Sequence, residues 1–342
     1  MTDAQPSAAP GIGTGIRSGI GPVIVADRLV KHYPAQRDLM GRVLKKVHAV
    51  DGVSFQIARG ETLGLVGESG CGKSTVARMI ARLIEPTEGH VVLDGVDISR
   101  LPEAQMRPYR RHVQIVFQDP FSSLNPRHRA GDIIAEPIVN FGLASGAALR
   151  DRVAQLFERV GLRPDQMRNY PHEFSGGQRQ RLGIARALAL NPSLIVCDEP
   201  VSALDVSIQA QVINLLADLQ RDLGLAYLFA AHDLAVVEHI STRVAVMYLG
   251  KVVETGTREA LFGSPRHPYT EALLASVPVP NPRERKPRVP ISGDVPSPLA
   301  PPPGCRFHTR CPLAEARCKT AEPPLVDIGG GHHVACHVRT AR

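Results

Sequence analysis

The run Gly67-Glu68-Ser69-Gly70-Cys71-Gly72-Lys73-Ser74, followed by Thr75, constrains this chain more than any other segment. It fits the spacing G-x-x-x-x-G-K-[ST]. It lies between an apolar run, Thr62–Val66, and a stretch of helical apolar spacing, Val76–Ile84. A strand, a glycine-rich loop and a helix in that order let backbone N–H groups converge on phosphate oxygens with no Cβ in the way. Lys73 would neutralise the β- and γ-phosphates as a point charge, and the Ser74 hydroxyl would ligate Mg²⁺. The expected ligand is a nucleoside triphosphate, and the expected fold is α/β.

Further strand-to-helix steps support that fold class. Leu194–Cys197 leads into Ile208–Leu223, and Ala226–Ala231 into Leu234–Ile240. Strands alternating with helices imply a mostly parallel sheet covered on both faces. Upstream, Val23–Val25 and Val50–Ile57 read as short strands, separated by a polar, basic insertion of flexible character from Pro34 to Lys46. Glu136–Tyr170 alternates helical runs with breakers at Gly142, Gly146, Gly161 and Pro164. Residues 1–22 are rich in Gly, Ala, Ser and Pro and read as a disordered leader. Residues 277–303 hold ten prolines, so neither a helix nor a central strand is expected there. The expected organisation is a leader (1–22), a nucleotide-binding domain (23–275) with a helical subdomain at about 120–190, a linker (276–303) and a small C-terminal module (304–342).

Composition excludes some function classes. No stretch approaches the ~20 uninterrupted apolar residues of a membrane helix, so a cytoplasmic protein is expected, with any membrane role depending on a partner. The net charge of +7 is uneven: residues 281–342 carry ten Lys/Arg and five Asp/Glu, or +5, which leaves +2 for the rest. That pattern suits a basic tail facing an anionic membrane or partner better than a nucleic-acid surface.

Two other segments complete a candidate site. The apolar run Leu194–Cys197 ends in Asp198 and Glu199. The first suits Mg²⁺; the second can orient and deprotonate an attacking water. Cys197 then reads as a buried strand thiol. Ser175-Gly176-Gly177-Gln178 opens a helix and offers free N–H groups and a positive dipole end, although Ser is also an ordinary helix cap. Two phosphate-seeking helix starts suggest a triphosphate gripped from both sides.

Taken together these residues resemble the ATP-binding cassette (ABC) ATPases over about residues 23–275. The resemblance implies a P-loop fold with a RecA-like core, an antiparallel β subdomain and an α-helical signature subdomain. Phe174-Ser175-Gly176-Gly177-Gln178 is similar to the signature motif, Gln118 to the Q-loop glutamine that senses Mg²⁺ and water, and Asp205 to the D-loop aspartate. His232 matches the switch histidine on the γ-phosphate, and Tyr33 the aromatic that stacks on adenine. The segments Phe117–Pro126, Asp198–Gln209 and His267-Pro268-Tyr269-Thr270 resemble the ATPase subunits of oligopeptide/dipeptide importers, and the run Phe174–Arg181 with the insertion after Tyr33 resembles the second, F-type, of their two forms. This implies Mg·ATP hydrolysis with Glu199, His232 and Gln118 catalytic, and Ser74, Gln118 and Asp198 serving Mg²⁺. The implied partners are a second, D-type ATPase subunit, two permease subunits and an extracytoplasmic substrate-binding protein, with no nucleic acid. The implied location is the cytoplasmic face of the bacterial inner membrane. Relatives carrying nickel or other small solutes are the alternative.

The remaining constellation is Cys305, Cys311, Cys318 and Cys336. Clustering without an export signal argues for metal ligation over disulfides. Close C-x2–4-C pairs typical of zinc are absent, and the wider spacing suits a larger cubane; Zn²⁺ or unligated thiols stay open. Some importer subunits of the resembled family hold a [4Fe–4S] cluster in such a tail. His308, His332, His333 and His337 read as surface histidines.

Overall fold

Residues 21–38, 40–276 and 293–340 are described by the computed structural model. The expected leader, apart from its last two residues, and most of the proline-rich stretch lie outside them. The chain opens with a long antiparallel hairpin, β1 (Ile24–Arg37) and β2 (Val43–Ile57). Its base is buried through Ile24, Leu29, Val53 and Ile57, while its far end is exposed. The expectation of short strands and a flexible insertion from Pro34 to Lys46 is therefore corrected. That segment is the distal arm of the hairpin, with Pro34 opposite Lys46 and Arg37 opposite Val43. A two-stranded ladder needs no apolar side chains, so polar composition concealed it. Pro34, which cannot donate to a ladder, sits beside a register shift.

Next come β3 (Thr62–Val66), α1 (Lys73–Ile80), β4 (Glu88–Leu93), β5 (Val96–Asp97), α2 (Glu103–Arg110) and β6 (Val113–Val116). Helix α1 stops at Ile80 rather than Ile84. Arg82 turns left-handed at φ 55°, and the Leu83 N–H reaches back to the Arg78 carbonyl at 2.8 Å, closing the helix end. The helical region comprises α3 (Pro120–Ser123), α4 (Ala130–Asn140), α5 (Gly146–Arg159) and α6 (Gly176–Leu188). The chain then returns to β7 (Leu194–Asp198), α7 (Val206–Leu223), β8 (Ala226–Ala230), α8 (Leu234–Ile240), β9 (Arg243–Tyr248) and β10 (Lys251–Thr257). Helices α9 (Arg258–Gly263) and α10 (Pro268–Ala275) precede two short strands, β11 (Val326–Asp327) and β12 (His333–Val334).

These elements form two sheets. One is antiparallel, in the order β2-β1-β4-β5; the other has eight strands in the order β11-β12-β10-β9-β3-β8-β7-β6. Within the larger sheet β9, β3, β8, β7 and β6 are parallel neighbours. Strands β3, β7 and β8 are buried at every residue because both faces are covered. On one face Leu63, Leu65, Val196 and Leu228 share a core with α1, α2 and the antiparallel sheet; on the other Val66, Ile195, Tyr227 and Phe229 share one with α4–α8. The C-terminal strands extend this sheet, with β12 pairing β10 at Glu254–Val334. His332 is not a surface residue: it is buried, and its Nε2 lies 2.7 Å from Glu254 Oε1, under the sheet edge.

Candidate functional site

Parallel strands end together, so the loops after β3, β7 and β8 converge along one edge of the sheet. The phosphate loop follows β3 and depends on backbone shapes open only to glycine. Gly67, Gly70 and Gly72 have φ of 151°, 79° and 109°. A Cβ at Gly67 would collide with the Met247 carbonyl, and one at Gly72 with the Ala49 carbonyl. Lys73 is buried at the start of α1, its ammonium on the carbonyls of Gly67 (2.8 Å) and Glu68 (3.2 Å). The neighbouring Cys71 thiol is pushed up by burial, with Lys73 only partly offsetting this; it is a packing group rather than a nucleophile.

Asp198 comes from the end of β7. It accepts a 2.7 Å hydrogen bond from the Ser74 hydroxyl, which joins the phosphate loop to the acidic strand end. Burial raises the Asp198 carboxyl above its ordinary range, against the lowering effect of Ser74, Arg78 and Lys73. A divalent cation would reverse that balance. Glu199 adopts φ 50°, a costly conformation for a side chain with a Cβ, and its N–H is held by the Ala230 carbonyl at 2.9 Å. This turn aims the carboxylate at His232, whose Nδ1 lies 3.3 Å from Glu199 Oε2. His232 itself follows β8 and is exposed. Lys73, Ser74, Asp198, Glu199 and His232 are thus brought together by adjoining strand ends. Gln118 lies just past β6, next to β7, and is exposed.

The signature segment stands apart on the helical region. Ser175 caps α6 in a reciprocal box, its Oγ accepting from Gln178 N–H (3.4 Å) while Gln178 Oε1 accepts from Ser175 N–H (3.0 Å). Gly177 is required by packing, since a Cβ there would strike Ile208 at the start of α7. Asp205, the N-cap of α7, is exposed, and Tyr33 is half-exposed on β1 with the Lys31 ammonium 5.3 Å from its ring.

Sequence reasoning missed a second set of residues beneath the phosphate loop. His-Pro-Tyr-Thr served only as a marker of resemblance. In the structure His267 caps α10 by accepting the Tyr269 N–H at 3.1 Å, and Pro268 occupies the first helical position. Tyr269 is fully buried, and its hydroxyl accepts the Glu68 N–H at 2.9 Å. Arg310 forks onto the Glu68 carboxylate at 2.9 and 3.1 Å. The only advance signal was the cluster of cysteines around Arg310, which says nothing of where that segment docks.

The four C-terminal cysteines gather beside the sheet edge. Burial pushes the Cys305 thiol up to about 11, offset in part by the Phe307 N–H and reinforced by Cys311, Cys318 and Cys336. The Cys311 sulfur accepts the Leu313 N–H at 3.4 Å. Among the described residues no three of these sulfurs come within 4.8 Å of one another. Tetrahedral zinc would hold them about 3.8 Å apart, from its ~2.3 Å bonds to sulfur. Cys318 and Cys336 are buried and Cys305 and Cys311 half-buried, and burial raises the Cys305 and Cys311 thiols, so these would need a nearby cation to ionise.

Known proteins match this architecture. Residues 50–202 match the ABC transporter family, and residues 253–318 match the oligopeptide/dipeptide transporter C-terminal region. A probable peptide ABC transporter ATP-binding protein of Sinorhizobium fredii is 56% identical over 93% of this chain and 90% of its own length. The oligopeptide transport ATP-binding protein AppF of Bacillus subtilis is 54% identical, covering 90% of this chain and 94% of its own. The dimeric post-hydrolysis structure of the cassette MJ0796, bound to ADP and Pi, superposes with a TM-score of 0.62 at 29% identity, over 69% of this chain and 98% of that one. The fold and site thus define an ABC ATPase. The chain belongs to the peptide/oligopeptide ABC transporter ATP-binding proteins.

Proposed function

We propose that this chain powers peptide uptake as the ATP-hydrolysing subunit of an ABC importer. The carrying observation is the convergence of Lys73, Ser74, Asp198, Glu199 and His232 at adjoining strand ends, joined by the Ser74–Asp198 bond. Mg·ATP would lie on Gly67–Thr75, with Ser74, Asp198 and Gln118 serving Mg²⁺. Lys73 and His232 would stabilise the γ-phosphate, and Tyr33 would stack on adenine. Glu199 would hold the attacking water and take its proton, with His232 orienting that carboxylate. The Ser175–Gln178 box and Asp205 would face the ATP of a second ATPase subunit, a D-type paralogue. Closure of the pair would reach two permease subunits through the segment after Gln118, fed by an extracytoplasmic binding protein. Among the described residues no helix is long and apolar enough to cross a membrane, so attachment at the cytoplasmic face would be peripheral.

The Cys305, Cys311, Cys318 and Cys336 thiols would hold a [4Fe–4S] cluster as a structural staple. Such a cluster cross-links chain segments by thiolate ligation. The chain's own contribution is a half-buried pocket, with N–H groups aimed at Cys305 and Cys311.

The test of the central reading is Glu199→Gln in the reconstituted transporter. Turnover should fall by about 10³-fold while ATP-dependent pairing of the two ATPase subunits persists. Unchanged turnover would remove Glu199 from the chemistry.

A further inference from the structure

The backbone between Cys305 and Cys311 packs against the underside of the nucleotide site. Its turn is tight: the Cys305 N–H is held by the Cys318 carbonyl at 2.9 Å, and the Arg310 N–H by the Phe307 carbonyl at 2.9 Å. Phe307, fully buried, meets Tyr248 edge-on at 5.2 Å and Tyr269 at 5.4 Å, which locks the turn onto the end of β9 and the start of α10. Two arginines of this turn bond to neighbouring segments. Arg306 bonds the Leu249 carbonyl and the Asp51 carboxylate of β2, on the hairpin that carries Tyr33. Arg310 is buried, forks onto Glu68 at 2.9 and 3.1 Å, and touches the Tyr248 hydroxyl at 3.3 Å.

Glu68 is thereby held at every polar group. Tyr269 takes its N–H, its carbonyl accepts Lys73, and Arg310 takes both carboxylate oxygens. We propose that Arg310 is a positioning residue for ATP, one that fixes the phosphate loop through its forked bond to Glu68. The Cys305–Cys311 turn, which carries Arg310, is then a clasp on the phosphate loop that sets nucleotide affinity. The physical reason is preorganisation. A loop of glycines has many backbone states, and the convergent N–H geometry that phosphate requires is only one of them. A bidentate, charge-assisted pair with a buried arginine and a half-buried glutamate selects that state before ATP arrives, whereas a lysine or a single hydrogen bond would leave the loop free to pivot. Arg310 touches no phosphate itself. Its removal should therefore act on binding and not on the chemical step.

The neighbouring group His32, His48 and Asp51 has the spacing of a metal site. Because Arg306 already pairs with Asp51, the group serves the same clasp from the hairpin side.

The proposal rests on Gly67–Ser74 being the ATP site, and the experiment separates the two. ATP hydrolysis is measured in the intact transporter in lipid nanodiscs for wild type, Arg310→Lys, Arg310→Met, Glu68→Gln and the double variant Glu68→Gln/Arg310→Met, with Lys73→Ala as control. Arg310→Met should raise the KM for ATP about tenfold, with kcat at saturation within about twofold. Arg310→Lys, which keeps the charge and the packing, should fall between it and wild type. The double variant should be no worse than the worse single one, because both break one bond. An Arg310→Met transporter with wild-type KM, beside a Lys73→Ala control that has lost ATP, overturns the clasp and leaves the ATP site standing. Additive effects in the double variant overturn the Glu68 route. If Lys73→Ala changes nothing, the site and the clasp fall together. Should Arg310→Met fail to fold, a KM for Arg310→Lys equal to wild type also overturns it.

Discussion

The molecule has two glycine-rich helix starts of similar chemistry and very different surroundings. At α1 the loop Gly67–Lys73 exposes only its tip, Ser69 and Gly70, with Lys73 buried, Ser74 on Asp198, and Glu68 held from below by Tyr269 and Arg310. At α6 only Ser175 of the segment Ser175–Gln178 is exposed, Gly177 is buried against Ile208, and the side-chain bonds of Ser175 and Gln178 are closed upon each other. Both present N–H groups and a positive dipole end to an anion. The first is braced by tertiary contacts from across the chain; the second is a finished local cap on a helical region. The difference teaches that one helix start is fixed in shape by contacts from distant segments. The other is capped by its own side chains.

Substitutions can break that contrast. Lys73→Ala should weaken ATP binding by this chain by about 100-fold or more, read by equilibrium dialysis, since a buried cation facing phosphate is lost. Gly177→Ala acts on the other helix start. Its methyl meets Ile208, so stability should fall by about 1–3 kcal/mol while the enclosed phosphate loop keeps its ATP affinity. Ser175→Ala should cost about 1 kcal/mol through the lost cap, measured by chemical denaturation. It should leave ATP binding by the isolated chain unchanged and lower turnover only in the assembled pair. A fall in ATP affinity of the isolated chain would mean that the two helix starts share one site.

The smallest effect concerns the brace under α1. His267 is fully buried, and that burial lowers its imidazole from 6.5 to about 3. The unfolded chain takes up a proton below about pH 6.5 that the folded chain refuses, so stability is fully present above that value and is lost as pH falls toward 3. Between pH 7.5 and 6 the loss from this one group should be about 0.8 kcal/mol. His267→Asn keeps a helix cap and should remove that part of the pH slope; an unaltered slope would place its origin elsewhere.

Much of the enclosed site was legible in advance. Gly67, Lys73 and Ser74 stand out by their spacing behind an apolar run, Asp198 and Glu199 by closing another, and His232 only through the resemblance to a family. The capping box at Ser175 was legible for a similar reason, being local. The hairpin arm Pro34–Lys46 was not, because a ladder of backbone bonds leaves little mark on polar composition. Nor was the burial of His332, which depends on Glu254, 78 residues away, at a sheet edge that only folding creates.

The sequence by itself determined the residue types and their spacing: a glycine loop followed by Lys73 and Ser74, an apolar strand closed by Asp198 and Glu199, and a set of thiols near the end. Tertiary structure alone decided which distant residues hold them in place. Tyr269 and Arg310 reach Glu68 across 201 and 242 positions of chain. Contacts of that range follow from how strands order themselves in a sheet and where the last segment docks, and no spacing in the sequence encodes them. The phosphate loop could be read from its own residues because its function is local backbone geometry. Its rigidity could not, because that belongs to the contacts beneath it.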